Sequence, residues 1–219
     1  MDSDVKRIGL VVVAIVLFAV GAAIYNWTSD PGSGKPSESA DAAEMTRHAH
    51  RLGNQKESEA ARKSLADMVR DPRREVALAA IRNLGVNRSD KARSLLEDVV
   101  SDREMDRRVR AAAGSALGKY TDASPATLAR VLENEPDKLV RRGAAIGLAN
   151  RSSPEQSDAI PALFKALRDP DPRVRQWAAT GIFRVTRIMF TFDPEKDPAT
   201  QGQQISKIRD ALVQGGYMN

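Results

Sequence analysis

DPDPRVRQWAATGI, residues 169–182, decides the fold. It opens on two Asp-Pro steps, reaches a valine at position 174, then sets small residues and an aliphatic at fixed offsets. The same arrangement surrounds Val76, Val109 and Val140. The four valines stand 33, 31 and 34 residues apart. Self-similarity at that period marks stacked helical repeats, in which each unit buries its apolar face against its neighbours.

Counting from each valine, position +4 is Ala80, Ala113, Ala144 and Ala178. Position +7 is Asn83, Ala116, Gly147 and Gly181, and position +8 is Leu84, Leu117, Leu148 and Ile182. Offsets of 0, 4, 7 and 8 fall on one stripe of an α-helix. The small residues at +4 and +7 predict that a neighbouring helix approaches closely. A second apolar helix precedes each turn, carried by Leu65/Met68/Val69, Leu95/Leu96/Val99/Val100, Leu128/Val131/Leu132 and Ile160/Leu163/Phe164/Leu167. Asp71-Pro72, Asp102, Asp137 and Asp169 mark the turns between the two helices, where aspartate accepts backbone N–H bonds and proline fits the first helical turn. Ser89, Ser124-Pro125 and Ser153-Pro154 are expected to open the second, third and fourth outer helices. The expected fold is therefore all-α: a solenoid of about four to five helix pairs over residues 44–187. Met45–Leu52 is expected to cap its first repeat. A C-terminal loop and capping helix are expected over 188–219, with Ile205, Ile208, Ala211 and Leu212 facing the array and Phe190 and Phe192 packed beneath.

The stretches DREMDRRVRAAAGSALG, DKLVRRGAAIGLA and DPDPRVRQWAATGI resemble HEAT repeats, in particular the short bacterial type also called PBS lyase-like HEAT repeats. The first unit, DPRREVALAAIRNLG, departs by having Ala77 where the others have Arg110, Arg141 and Arg175. The resemblance covers about residues 55–187. It implies a scaffold, adaptor, lyase subunit or regulator. It also implies a structural ladder, in which Arg110, Arg141 and Arg175 pair with the turn aspartates Asp102, Asp137 and Asp169 of adjacent repeats. The flanking Arg108, Arg142 and Arg173, with Trp177, are the candidate partner-binding residues.

Upstream, Ile8–Ile24 is a run of 17 residues without a charge, ending near Tyr25 and Trp27. Residues 8–27 read as a transmembrane signal anchor. Lys6 and Arg7, in the short N-terminal flank 1–7, place that flank in the cytoplasm and the rest in the extracytoplasmic or periplasmic space. Ala19-Val20-Gly21 offers the competing reading, a signal peptide cleaved after export. Residues 28–43, rich in Ser, Gly and Pro, read as a flexible tether.

The chain has no cysteine, which excludes disulfides and thiolate chemistry. His48 and His50 are two apart and read as solvated residues rather than metal ligands. Gly32-Ser33-Gly34-Lys35 lacks the spacing and context of a phosphate loop. No catalytic, cofactor or metal constellation is visible, and the expected activity is binding rather than catalysis. Residues 44–219 hold 31 Lys and Arg against 24 Asp and Glu, a net +7. That excess admits an acidic protein, nucleic acid or anionic lipid as partner. The expectation is another protein, such as a membrane complex, at the extracytoplasmic membrane face. Two alternatives remain open: a nucleic-acid binder using a basic surface, as some HEAT-like DNA glycosylases do, and a lyase-type or regulatory role.

Overall fold

The computed structural model describes residues 41–219 except 56, 57, 123, 152 and 153. Residues 8–27, read from sequence as an anchor, and nearly all of the stretch read as a tether lie outside the described residues. Among the described residues, no helix is long and apolar enough to cross a membrane.

Ten α-helices form the described chain: α1 (Ala42–Gly53), α2 (Glu59–Val69), α3 (Arg74–Asn87), α4 (Asp90–Ser101), α5 (Arg107–Leu117), α6 (Ala126–Asn134), α7 (Lys138–Ala149), α8 (Ile160–Ala166), α9 (Pro172–Thr186) and α10 (Pro198–Gln214). Four pairs, α2/α3, α4/α5, α6/α7 and α8/α9, are the repeats. The second helices stack as α3, α5, α7 and α9, and the first helices line up outside them. This two-layer arrangement follows from the valine-anchored stripe. Val76, Val109, Val140 and Val174 are all buried, as are the +4 and +8 residues.

The sequence-derived stripes hold, but the ends of the helices differ in detail. Helix α1 begins at Ala42, inside the stretch read as tether, because Asp41 accepts the Glu44 N–H. It packs on α3 and so extends the inner layer by one helix. His48 on α1 is buried, contrary to its reading as a solvated residue. Its helix face, shared with Ala49 and Leu52, is the one turned to the core. His50 is exposed. Burial first, then neighbouring Arg51, holds the His48 pKa below its ordinary 6.5.

Ser89 caps α4 through the Ala92 N–H, and the Ser124 hydroxyl accepts from Ala126 at the start of α6. Ser153 lies outside the described residues, and α8 is preceded by a 3-10 turn over Pro154–Ala159. The caps of the inner helices are Asp106, Asp137 and Asp171, each three residues before its valine. In the first unit that position is Arg73, whose side chain caps nothing and instead pairs with Asp71 at 2.7 and 2.8 Å.

Backbones approach closely between α5 and α7. A Cβ placed on Gly143 would stand 2.7 Å from the Ala111 Cα, and one on Gly118 would stand 2.8 Å from the Gly147 Cα. Backbones therefore touch where the sequence offers only hydrogen as a side chain. At the C-terminal end, α10 buries Ile205, Ile208 and Leu212. Phe190 and Phe192 from the connecting segment pack half-buried against the same core. The Asp193 N–H donates to Gln204 Oε1 at 3.0 Å, which fastens that segment to α10.

Candidate interaction surface

Two side-chain systems organise the edges of the inner layer. The first runs along the turns. Arg110 is 5% exposed and sits one residue after its valine. Its Nε and Nη2 donate to the Val100 carbonyl, at 3.3 and 3.2 Å, and its Nη1 and Nη2 reach the two carboxylate oxygens of Glu135. Arg141 repeats this one unit on. Its Nη1 donates to the carbonyls of Glu135 and Pro136, at 3.0 and 2.8 Å, and its Nε and Nη2 grip Asp169 at 2.7 and 2.9 Å. The bond to Asp169, more than burial opposes it, raises the Arg141 pKa above its ordinary value. Arg175 donates Nη1 to the carbonyls of Asp169 and Pro170, and Nε and Nη2 to the Pro194 carbonyl.

Each guanidinium thus does two things. It satisfies carbonyls left unpaired where its own outer helix ends, and it reaches forward, to the next unit for Arg110 and Arg141 and to the Pro194 loop for Arg175. Cations in the first turn oppose the helix dipole; here the forward carboxylate and the capping aspartate supply the opposite charge.

Of the pairs expected from sequence, the structure brings together Arg141 with Asp169. It does not join Arg110 to Asp102 or Asp137. Asp102 instead accepts the Glu104 N–H, and Asp137 caps α7 through Leu139 and Val140. The acceptor is Glu135, a residue that the turn aspartates do not mark but its distance from the valine does. Both Glu135 and Asp169 lie five residues before their valines; Asp137 lies three before and is a cap. Counting back from the valine would have found it. Arg175 meets carbonyls rather than a carboxylate, because the segment it reaches is the loop carrying Pro194.

The second system runs along the opposite ends of the inner helices. The Tyr120 hydroxyl donates to the Leu84 carbonyl at 2.7 Å, and burial pushes its pKa up to about 12. Arg151, 3% exposed, donates to the carbonyls of Tyr120 and Thr121. Arg184 reaches back to the Ala149 carbonyl and to Asn150 Oδ1, at 3.2 and 3.0 Å. These bonds tie α3 to the segment after α5, that segment to the end of α7, and α7 to α9.

The candidate partner-binding residues fall on the inner helices. Arg108 and Arg173 are exposed, each one residue before its valine. Arg142 is half-buried, with Nη2 3.4 Å from Asp171. Trp177 is half-buried and packs against the core beside the +4 alanine. The basic ridge is therefore interrupted by a partly neutralised member. Hollows between units are shallow; one of about 330 Å³ lies over Val100, Arg103, Arg110, Arg130 and Glu135. No group of three or more His, Cys, Asp or Glu is placed to hold a metal ion among the described residues.

A two-layer helical array whose hollows, among the described residues, are shallow defines the class: an α-solenoid, an architecture that presents a surface for other macromolecules. HEAT repeats are recognised over residues 61–149 and 125–186, more than half of the chain, and the chain belongs to the HEAT-repeat family. No curated protein matches the sequence. Among solved structures it is similar to a crystal structure of an engineered protein from the Northeast Structural Genomics Consortium, at 18% identity and a TM-score of 0.46. That similarity covers 83% of this chain and 95% of the other.

Proposed function

We propose that the chain is a membrane-anchored HEAT-repeat scaffold or accessory subunit that holds a protein partner at the extracytoplasmic face of a membrane. The observation that carries the membrane reading is the uncharged run Ile8–Ile24, preceded by Lys6 and Arg7. The binding reading is supported by the family, whose repeats build extended surfaces, and by the exposed arginines of the inner layer. A tether would raise the effective concentration of the array toward a membrane-resident partner.

A reporter fused to the C-terminus tests the orientation. Activity of an exported reporter and silence of a cytoplasmic one is the expected result. The reverse would return the nucleic-acid reading to first place, because the basic inner layer would then share a compartment with DNA and RNA. Affinity purification from detergent-solubilised native membranes tests the scaffold role. A stoichiometric protein partner is expected, and its absence under gentle conditions would remove the accessory-subunit reading.

A further inference from the structure

Charge is skewed between the two layers, although inner helix α3 carries the exposed Glu75 beside Arg74 and Arg82. Helices α5, α7 and α9 hold nine Lys and Arg and no Asp or Glu. The outer helices α2, α4, α6 and α8 hold six of each sign. Three of the nine, Arg110, Arg141 and Arg175, are consumed by the ladder; Arg107, Arg142 and Arg184 meet Asp137, Asp171 and the end of α7, and Arg108, Lys138 and Arg173 are exposed.

The apolar residues of that face are ordered as well. Offsets −1, +2, +6 and +9 lie opposite the core stripe of an inner helix. Leu78 and Ala111 stand at +2 on α3 and α5, Ile146 at +6 on α7, and Phe183 at +9 on α9. Leu78 is half-buried and packs in part against the core, Ala111 and Ile146 are half-buried, and Phe183 is 38% exposed. Together they trace an oblique apolar track across four helices. Arg108, Arg142 and Arg173 flank it on the side of the helix N-termini, with Glu75 at the equivalent place on α3. Arg82, Lys119 and Arg184 flank it on the other. With inner helices about 8–10 Å apart, the track is about 25–30 Å long.

We infer that this track seats an acidic amphipathic helix of a partner protein, its apolar stripe on Leu78, Ala111, Ile146 and Phe183 and its carboxylates toward the two cationic flanks. About 17–20 helical residues match the length. A helix laid in a groove is read through anchors at such spacing. The arrangement disfavours a nucleic acid. Its centre is apolar, a surface suited to side chains rather than to a phosphate backbone. A second copy is disfavoured by charge: the outer layer is neutral and residues 44–219 are net positive. The inference rests on the scaffold reading and adds the site and the chemistry of the partner.

The test is a photo-crosslinking amino acid placed at Ile146 in the full-length, membrane-resident chain, with a control at Lys63 on α2. The cross-linked segment is identified by mass spectrometry. The expected segment is acidic and amphipathic, captured at position 146 and not at 63. Adding Arg82→Glu and Lys119→Glu, both exposed and outside the two networks above, should lower the yield at least tenfold while the helical circular dichroism stays unchanged. Retained yield overturns the proposal. So does capture of lipid, nucleic acid, a second copy or a basic segment, or no capture at all. A partner that co-purifies but cross-links only through α2 removes this surface and leaves the scaffold. An acidic helix captured at 146 in a chain whose C-terminus proves cytoplasmic removes the location and leaves the surface.

Discussion

The junctions between the second, third and fourth repeats differ from the junction between the first and second. In the later ones a buried guanidinium leaves each inner helix and closes on a carboxylate five residues before the next valine. In the first, the donor position is Ala77 and the corresponding acceptor, Glu104, is exposed. Donor and acceptor have lost their roles together, and the first turn has made other use of its charges, pairing Asp71 with Arg73. The comparison teaches that the ladder is not what makes the units stack. Stacking comes from the valine-anchored stripe, which all four units share. The ladder supplies partners for carbonyls at helix ends and selects the register in which one turn faces the next.

Glu135→Ala tests this most severely. It leaves Arg110 buried without its carboxylate, and the expected loss is about 3–5 kcal/mol in chemical denaturation. Glu104→Ala, at the equivalent place in the first junction, should stay within about 0.5 kcal/mol. Equal losses would erase the distinction between the junctions. The double variant Arg110→Leu/Glu135→Leu should recover most of the stability lost by Glu135→Ala, because replacing both ions removes their desolvation cost as well as their attraction.

The next largest effect concerns packing. Gly147→Ala drives a methyl group against the Gly114 carbonyl and the Leu128 side chain. Separation of α5 from α7 should cost about 1–3 kcal/mol, read from the denaturation midpoint. Ala77→Arg works in the other direction by offering the first junction its missing donor. A double-mutant cycle with Glu104→Ala should show favourable coupling of about 1 kcal/mol; zero coupling would mean that the first turn cannot adopt the geometry of the others.

The smallest effect is pH-dependent and belongs to the N-terminal end. His48 is buried, and its folded-state pKa lies below the ordinary 6.5. The unfolded chain therefore binds a proton that the folded chain refuses. The stability contributed by neutral His48 is present above about pH 6.5 and declines as pH falls toward the folded pKa. His48→Leu should flatten this part of the stability profile, measured by thermal melts between neutral and mildly acidic pH.

Much of this was legible in residues. The stripe at 0, +4, +7 and +8 located the inner helices because periodic burial leaves a periodic pattern, and Ile205, Ile208 and Leu212 announced the terminal helix for the same reason. The exposed arginines were also visible as cations beside each valine. What escaped depended on partners across the fold. Glu135 looked like any solvated acid until its distance from Val140 was matched to that of Asp169 from Val174. His48 looked solvated because one polar residue in a short helix carries no period. The track from Leu78 to Phe183 was hidden because its members shift offset from helix to helix, and only the stacking of the layer places them in line.

The last guanidinium has a further consequence. An Arg175 left open would be a growing end, able to grip the carboxylate of another unit's turn as Arg110 and Arg141 do. Arg175 closes instead on the Pro194 carbonyl, which Gln201 of α10 also holds at 3.0 Å. That carbonyl occupies the propagating site as an end-group occupies the terminus of a polymer, so the length of the array is written into its own C-terminal segment and not left to whatever else might stack upon it.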